Sequence, residues 1–337
     1  MDFSKFSPFG SSDLEGDYGI PLHYFLAHFN ESFKQSGGTI LDAYLKEFDY
    51  VTKWLLVSDY AFYDKNKKHD IVTFSLIPYI ASFERMRDVL GGLAPADLKK
   101  IRKVKKEFIH FLASGPVFNI NIKLDRDRKL HTDERLYHRR KIEMLIAQLE
   151  HWAKTTPAGI DNYKRQIKML RNLDLIVNSS GGNLKAIRDI EIVSSLAAYL
   201  MSEVTSRTNV EVIGWFSDRD ALLNFKAAKL GNLIFEMVDL YYYALCYNLN
   251  ESSKADLIIG LPEEKNSVWY DTLIRIPDLL AGTFADFDYE NNVLSHDKFV
   301  SVVDGLFLAE KRNLFYNINF GDKLSAGRMM WGLRHDG

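Results

Sequence analysis

Apolar residues in this chain come in two arrangements, short β-branched and aromatic runs and longer stretches with helical spacing. The first predicts strands and the second helices. Residues 51–62 and 70–80 are of the first kind, and the polar segment Asp64–His69 between them predicts a β-hairpin. Val117–Leu124 alternates apolar and polar residues, the pattern of a half-buried strand. Residues 210–216 and 256–261 read as further strands. Helical spacing marks 21–35, Leu41–Glu47, 81–113 with breaks near Gly91-Gly92 and Pro95, Thr132–Lys154, 161–177, 184–204, most of 221–247, 269–285 and 297–310. Asp133-Glu134 gives the long helix at 132 an acidic first turn, and Pro157-Ala158-Gly159 stops it. Residues 1–19 read as a loose lead-in, and the last fifty residues, beyond the helix at 297, are undecided.

With the helical segment at 81–113 set aside as an insertion, the order is three strands, helix, strand, helix, strand, helix. An antiparallel meander followed by parallel crossovers on one mixed sheet is the RNase H-like arrangement, an α+β fold. The expected organisation is a lead-in with short helices over 1–50 and an RNase H-like domain over 51–286. That domain carries helical insertions at 81–115 and 155–205, and a C-terminal extension covers 287–337.

Composition narrows the function classes. The 337 residues are 47% hydrophobic and 13% aromatic, enough for a packed core. A formal charge of −2 gives no global field toward nucleic acid or a membrane. The single cysteine, Cys246, excludes an internal disulfide, and its apolar neighbours predict a buried thiol. The start has no basic region ahead of an apolar core, so no signal peptide is expected. No apolar run reaches the roughly 18 residues of a membrane span. The expected location is cytoplasmic. Scattered histidines, and the lack of a Walker loop, a Gly-x-Gly-x-x-Gly turn or a Gly-x-Ser-x-Gly elbow, leave zinc, nucleotide-cofactor and serine-hydrolase chemistry without support.

The candidate chemistry is acidic. Asp59 lies inside the first strand run, Asp218 and Asp220 follow the fourth, and Asp271 and Asp278 belong to the helix at 269–285. In the expected sheet the first and fourth strands are neighbours, so Asp59 and Asp218 approach each other and Asp278 completes a set. Clustered carboxylates repel unless a cation sits between them, and oxygen donors select Mg²⁺ or Mn²⁺. Metals held so activate water and stabilise the leaving oxygen of a phosphodiester. Asp220 and Asp271 are alternates, Glu143 in the long helix is a further metal candidate, and Arg275 would orient a carboxylate or phosphate. The bland alternative is a helix cap at Ser217–Asp220 and an Asp271–Arg275 surface pair. Asp271, Arg275, Asp278 and Gly282 share one helical face. Pro277 either kinks that helix or starts it.

Ile274-Arg275-Ile276-Pro277-Asp278-Leu279-Leu280-Ala281-Gly282 resembles the terminal helix, I-Q-x-A-D-L-x-A-G, of a bacterial family of RNase H-like proteins. That family's first strand carries Asp-Glu-Ser-Gly; here Ser58-Asp59-Tyr60-Ala61 stands at the corresponding place and keeps the aspartate. Trp215–Asp220 matches the family's acid after the fourth strand. The match is specific over residues 274–282 and elsewhere is one of element order. It implies metal-dependent nuclease chemistry with Asp59, Asp218 and Asp278 as catalytic, metal-binding residues.

Six of the eight residues from Lys99 to Lys106 are cationic, and a helix is expected there. Lys99, Lys100, Arg102, Lys103 and Lys106 are candidate phosphate-backbone contacts, against the alternative of a solvated face. The sequence therefore reads as a Mg²⁺- or Mn²⁺-dependent nuclease acting on DNA or RNA. The alternative is a non-catalytic member of the same fold that binds nucleic acid or a protein partner, in a bacterial defence or mobile-element system.

Overall fold

A computed structural model describes residues 20–96, 101–226, 232–248, 255–260, 269–306, 309, 311–321 and 323–330. It is a mixed α/β structure that divides into two compact units. A sheet unit takes the described residues of 28–128, 207–219 and 254–337, and a helical unit takes those of 1–27, 129–206 and 220–253.

In the sheet unit, α1 (Tyr24–Ser36, all but its first turn) and α2 (Gly38–Glu47) precede β1 (Lys53–Ala61) and β2 (Asp70–Pro78). Then come α3 (Phe83–Leu93), α4 (Lys106–Ser114) and β3 (Phe118–Leu124). After the helical segments, β4 (Val212–Ser217) and β5 (Asp256–Gly260) follow. The unit ends with α9 (Asp271–Asp286), α10 (Asp297–Leu306), β6 (Asn313–Asn319) and β7 (Ser325–Arg328). The sheet order is β5-β4-β1-β2-β3-β6-β7. β1, β2 and β3 form an antiparallel meander, and β4 runs parallel to β1 and β5 to β4. β6 runs parallel to β3, and β7 closes that side antiparallel to β6.

The strands at 51–62, 70–80, 117–124, 210–216 and 256–261 are thus found within a residue or two. β6 and β7 correct the reading of the last fifty residues as an undecided extension. Leu314, Phe315, Tyr316 and Ile318 are buried and extend the sheet past β3, so the C-terminal segment belongs to the sheet itself. The lead-in helices do too. Tyr44 of α2 stacks within 5.9 Å of Trp54 and 5.1 Å of Phe118, and its hydroxyl donates to Leu76 O at 3.1 Å. At Gly37 a Cβ would run into the Tyr316 hydroxyl, so only glycine lets α1 turn into α2 so close to β6.

Alternation sorts β1 between two faces. Trp54, Leu56, Ser58 and Tyr60 point one way. Leu55 and Val57 point the other, into a core shared with Leu273, Ile276, Leu280 and Phe284 of α9 and with Leu90 of α3, Leu112 of α4 and Val302 of α10. Asp59 continues that second row. It lies opposite Thr73, whose hydroxyl donates to Asn121 Oδ1 at 2.9 Å, and Asn121 Nδ2 donates to Leu314 O at 3.2 Å. One register step away Ser75 donates to Asn119 at 2.6 Å, and Asn119 to Asn313 at 2.9 Å. The alternation in β3 therefore does not mark a half-wet strand. Asn119 and Asn121 are buried because neighbouring strands satisfy their amides.

The hairpin is closed by charge. The Asp70 carboxylate takes Arg128 at 2.7 Å and the Tyr63 amide at 2.9 Å, and both charged side chains are fully buried. The Arg128 guanidinium lies 4.6 Å and 4.7 Å from the Phe62 and Tyr63 ring centres. Tyr63 is held at a φ of 55°, a left-handed conformation that its bond to Asp70 supports. Asp70→Ala is expected to cost about 3 kcal/mol, because it strands a buried guanidinium. Urea unfolding checks this, and a loss under about 1 kcal/mol would rank the pair with exposed ion pairs.

The helical unit holds α5 (Glu134–Thr155), α6 (Ile160–Asn178), α7 (Leu184–Thr205) and α8 (Leu233–Asn248). α5 packs on α6 and α7 on α8. Asp133 caps α5 through Leu136 N at 3.0 Å, and Asn183 caps α7 through Ala186 N at 3.0 Å. α7 is buried from Ile187 to Val204. α8 begins about a dozen residues later than the helix expected from 221, since residues 221–224 form turns. Cys246 is buried, as its neighbours predict. No helix among the described residues is long and apolar enough to cross a membrane.

Candidate functional site at the ends of β1 and β4

Two of the sequence-predicted acids come to adjacent positions. Ser58 pairs with Ser217 across the parallel strands, and the Asp218 amide donates to Ser58 O at 3.0 Å. Asp59, two residues before the end of β1, and Asp218, the first residue past β4, therefore stand side by side on strands that lie about 4.8 Å apart. The opposite face clamps this end. Trp215 Nε1 donates to Ser58 Oγ at 3.0 Å, and Tyr60 OH lies 2.8 Å from Ser58 Oγ and 2.7 Å from Ser217 Oγ. Asp59 is largely buried and Asp218 half-buried.

Asp271, the first residue of α9, belongs to the same neighbourhood. Burial pushes the Tyr270 hydroxyl up to about 12; Arg219 pulls against that, and Asp218 and Asp271 push with it. Tyr270, with its hydroxyl 3.4 Å from Gly260 O at the end of β5, thus registers Asp218, Arg219 and Asp271 at once.

Asp278 and Arg275 have another setting. The stripe Asp271–Arg275–Asp278–Gly282 exists, but the buried face of α9 toward β1 and β2 is carried by Leu273, Ile276, Leu280 and Phe284. Arg275 donates to Ala94 O at the end of α3, so it holds that helix terminus rather than a phosphate. Asp278 and Arg275 line a hollow of about 80 Å³ with Ala94, Ile101, Val104 and Phe108. Lys298 stands near enough to feel both Asp278 and Asp286. Pro277 lies inside the helix, which continues through it to Asp286.

The remaining candidates are held in local structure. Asp220, in the helical unit, accepts from Leu222 N at 2.8 Å and closes a turn. Glu143, on the exposed side of α5, stands 3.9 Å from Arg139 one turn away, a surface pair. Lys99 and Lys100 lie outside the described residues. Arg102 and Lys103 are exposed in an irregular segment, and Lys106 opens α4. The expected single basic helix is not formed from Ile101 on, because Val104 turns inward and Lys105 donates to Gly92 O at 2.7 Å.

The sequence reading missed a fully buried ionic cluster in the helical unit. Glu191 Oε2 of α7 receives Lys141 Nζ at 2.6 Å and the Tyr241 hydroxyl. Lys141 Nζ lies 2.6 Å from His23 Nε2, and His23 Nδ1 lies 2.5 Å from Tyr137 OH. Nε2 also stands 3.0 Å from Glu191, but one nitrogen cannot accept from lysine and donate to glutamate together. Burial holds His23 near 4, so the neutral ring with Nδ1–H toward Tyr137 and Nε2 accepting from Lys141 is the consistent state. Burial lowers Lys141 to about 8 despite its carboxylate, and Lys141 holds Glu191 well below the usual carboxylate range against its burial. The available signal was Glu191 itself, a charge set directly between Ile190 and Ile192.

Among the described residues no group of three or more His, Cys, Asp or Glu is arranged to hold a metal ion. Compared with protein-family models, curated proteins and solved structures, the chain matches none at a significant level.

Proposed function

We propose that this chain is an RNase H-like nuclease or nuclease-like protein that engages a nucleic-acid phosphodiester where β1 and β4 end. The observation that carries the reading is the side-by-side placement of Asp59 and Asp218 near the ends of neighbouring parallel strands, in a sheet whose first five strands lie in the order 3-2-1-4-5. Asp271, which with Asp218 is felt at the Tyr270 hydroxyl, would add negative charge at the edge of this site. The donors suit Mg²⁺ or Mn²⁺ in kind. They are too few for an all-protein cage, but Mg²⁺ is commonly held by one or two carboxylates with substrate phosphate and water completing its shell. Such an ion, when bound, would offset phosphate charge and favour ionisation of a water. Asp59 and Asp218 would hold it, Arg219 would add positive charge beside the phosphate, and exposed Arg102, Lys103 and Lys106 are candidate contacts along the strand.

The test is cleavage of single- and double-stranded DNA and of RNA with Mg²⁺ or Mn²⁺. Asp59→Asn and Asp218→Asn should each lower turnover by roughly 100-fold or more. Asp278→Asn should leave it within a few-fold, the reverse of what the terminal-helix resemblance implies. Loss of activity in Asp278→Asn alone would sink this assignment. The small number of acids brought together favours one second reading, a non-catalytic member that binds nucleic acid. Salt-dependent binding without cleavage in the wild-type chain would identify it.

A further inference from the structure

The helical unit contains a cavity of about 580 Å³ between the end of α5, the start of α6 and one side of α8. That volume is within the range of small-molecule sites, roughly 300–1,000 Å³. Its lining combines three aromatic side chains, Trp152, Tyr163 and Tyr243, with the polar Thr156, Asn162, Gln166 and Asp239. Trp152 and Tyr163 face one another with ring centres 5.9 Å apart and tilted by 42°, and Tyr243 forms part of the lining. Asp239 is the acid in the lining; buried Gln166 donates to it at 3.3 Å. Arg165, the cation that acts on Asp239, is already committed to Glu236, donating to both its carboxylate oxygens. Burial first, and then the Glu236 charge, push the Asp239 carboxyl up to about 6, the state of an acid short of positive charge.

We infer that this cavity binds a small organic cation, an alkylammonium or guanidinium group seated against Trp152, Tyr163 and Tyr243 and paired with Asp239. Each part follows from the chemistry. Aromatic faces attract a cation near their centres, and more strongly when water is excluded. A carboxylate recessed beside them supplies the counter-charge, and the Gln166 amide fixes its orientation. An anion would meet Asp239 and Glu236 together, and a neutral apolar guest would leave Asp239 desolvated without compensation. The inference is independent of the proposed nucleic-acid site, which lies in the other unit.

The test is calorimetric titration of the full chain with choline, agmatine and 3,3-dimethylbutan-1-ol, the neutral shape-match of choline. Saturable binding of choline or agmatine is expected, at least tenfold tighter than the alcohol. It should weaken about tenfold between pH 8 and pH 5 as Asp239 takes up a proton. Asp239→Asn and Trp152→Leu should each weaken it tenfold or more, with far-UV circular dichroism confirming that the variants fold. No saturation by either cation into the millimolar range overturns the inference. So does equal binding of the alcohol, or cation binding indifferent to pH and to Asp239→Asn. The comparison of choline with its alcohol and the pH series use the wild-type chain alone, so misfolded variants would not blunt the test.

Discussion

Glu191→Ala should cost the helical unit about 5 kcal/mol, enough to leave many domains of this size unfolded. The glutamate is the hub of the cluster. Its Oε2 receives the Lys141 ammonium at 2.6 Å and the Tyr241 hydroxyl, at side-chain exposures of 1% for the lysine and 4% for the glutamate. Removing it strands an ammonium and a phenol where water does not reach, and the uncompensated charge sets the size of the loss. The pair itself need not be stabilising. Lys141→Met combined with Glu191→Leu keeps the volume, removes both charges and should recover most of the loss. Equilibrium urea unfolding followed by helical circular dichroism reads both variants. A single variant as stable as wild type would mean that water or a counter-ion compensates Lys141. A double variant no better than the single would mean that shape, not charge, is what Glu191 supplies.

Why that cluster escaped the sequence, while the first five strands did not, is a matter of range. β1, β2 and β4 are apolar runs of β-branched and aromatic residues bounded by turn residues, and burial on both faces needs nothing more local than that. The adjacency of Asp59 and Asp218 follows once the strand order is assumed, because the crossover makes β1 and β4 neighbours. β6 could not be read this way. Asn313-Leu314-Phe315-Tyr316-Asn317-Ile318-Asn319 mixes polar and apolar residues, and what pairs it into the sheet and donates to Asn313 Oδ1 is β3, nearly two hundred residues earlier. The surroundings of the polar face of α9 were out of reach for a similar reason. Asp278 lies on a polar stripe, but the stripe is lined by the segment around Ala94 and Ile101, which the periodicity of α9 alone cannot reveal. His23, Lys141, Glu191 and Tyr241 lie far apart in the chain and carry no spacing motif.

Acid should weaken the fold steeply between about pH 6.5 and pH 4, well above the range where carboxylates alone would act. Burial lowers His138 and His23 from 6.5 to about 4. Below pH 6.5 the unfolded chain takes up protons at both rings while the folded chain does not, so stability falls until the folded rings titrate near 4. At about 1.4 kcal/mol per unit, each ring contributes a loss of roughly 3 kcal/mol. His69, in the sheet unit, is also lowered to about 4 and acts with the same sign, while Asp239, raised to about 6 by burial, takes up its proton first in the folded chain and offsets part of the loss. Above neutrality the sign is the same. Lys141, held at about 8, stays protonated longer in the unfolded chain, so stability rises from pH 8 toward 10. Tyr137 and Tyr241, raised well above 10 by burial, reverse that gain at still higher pH. The decisive variant is His138→Leu. Both its ring nitrogens are buried without a hydrogen-bond partner, with Glu191, Lys141, His23 and Arg188 as the charges around them, so a leucine removes an unsatisfied polar group. That variant should be at least as stable as wild type at pH 7 and should lose about one proton's worth of slope between pH 6.5 and 4. Urea midpoints across that window measure it, and an unchanged slope would show that His138 already carries its proton in the folded protein.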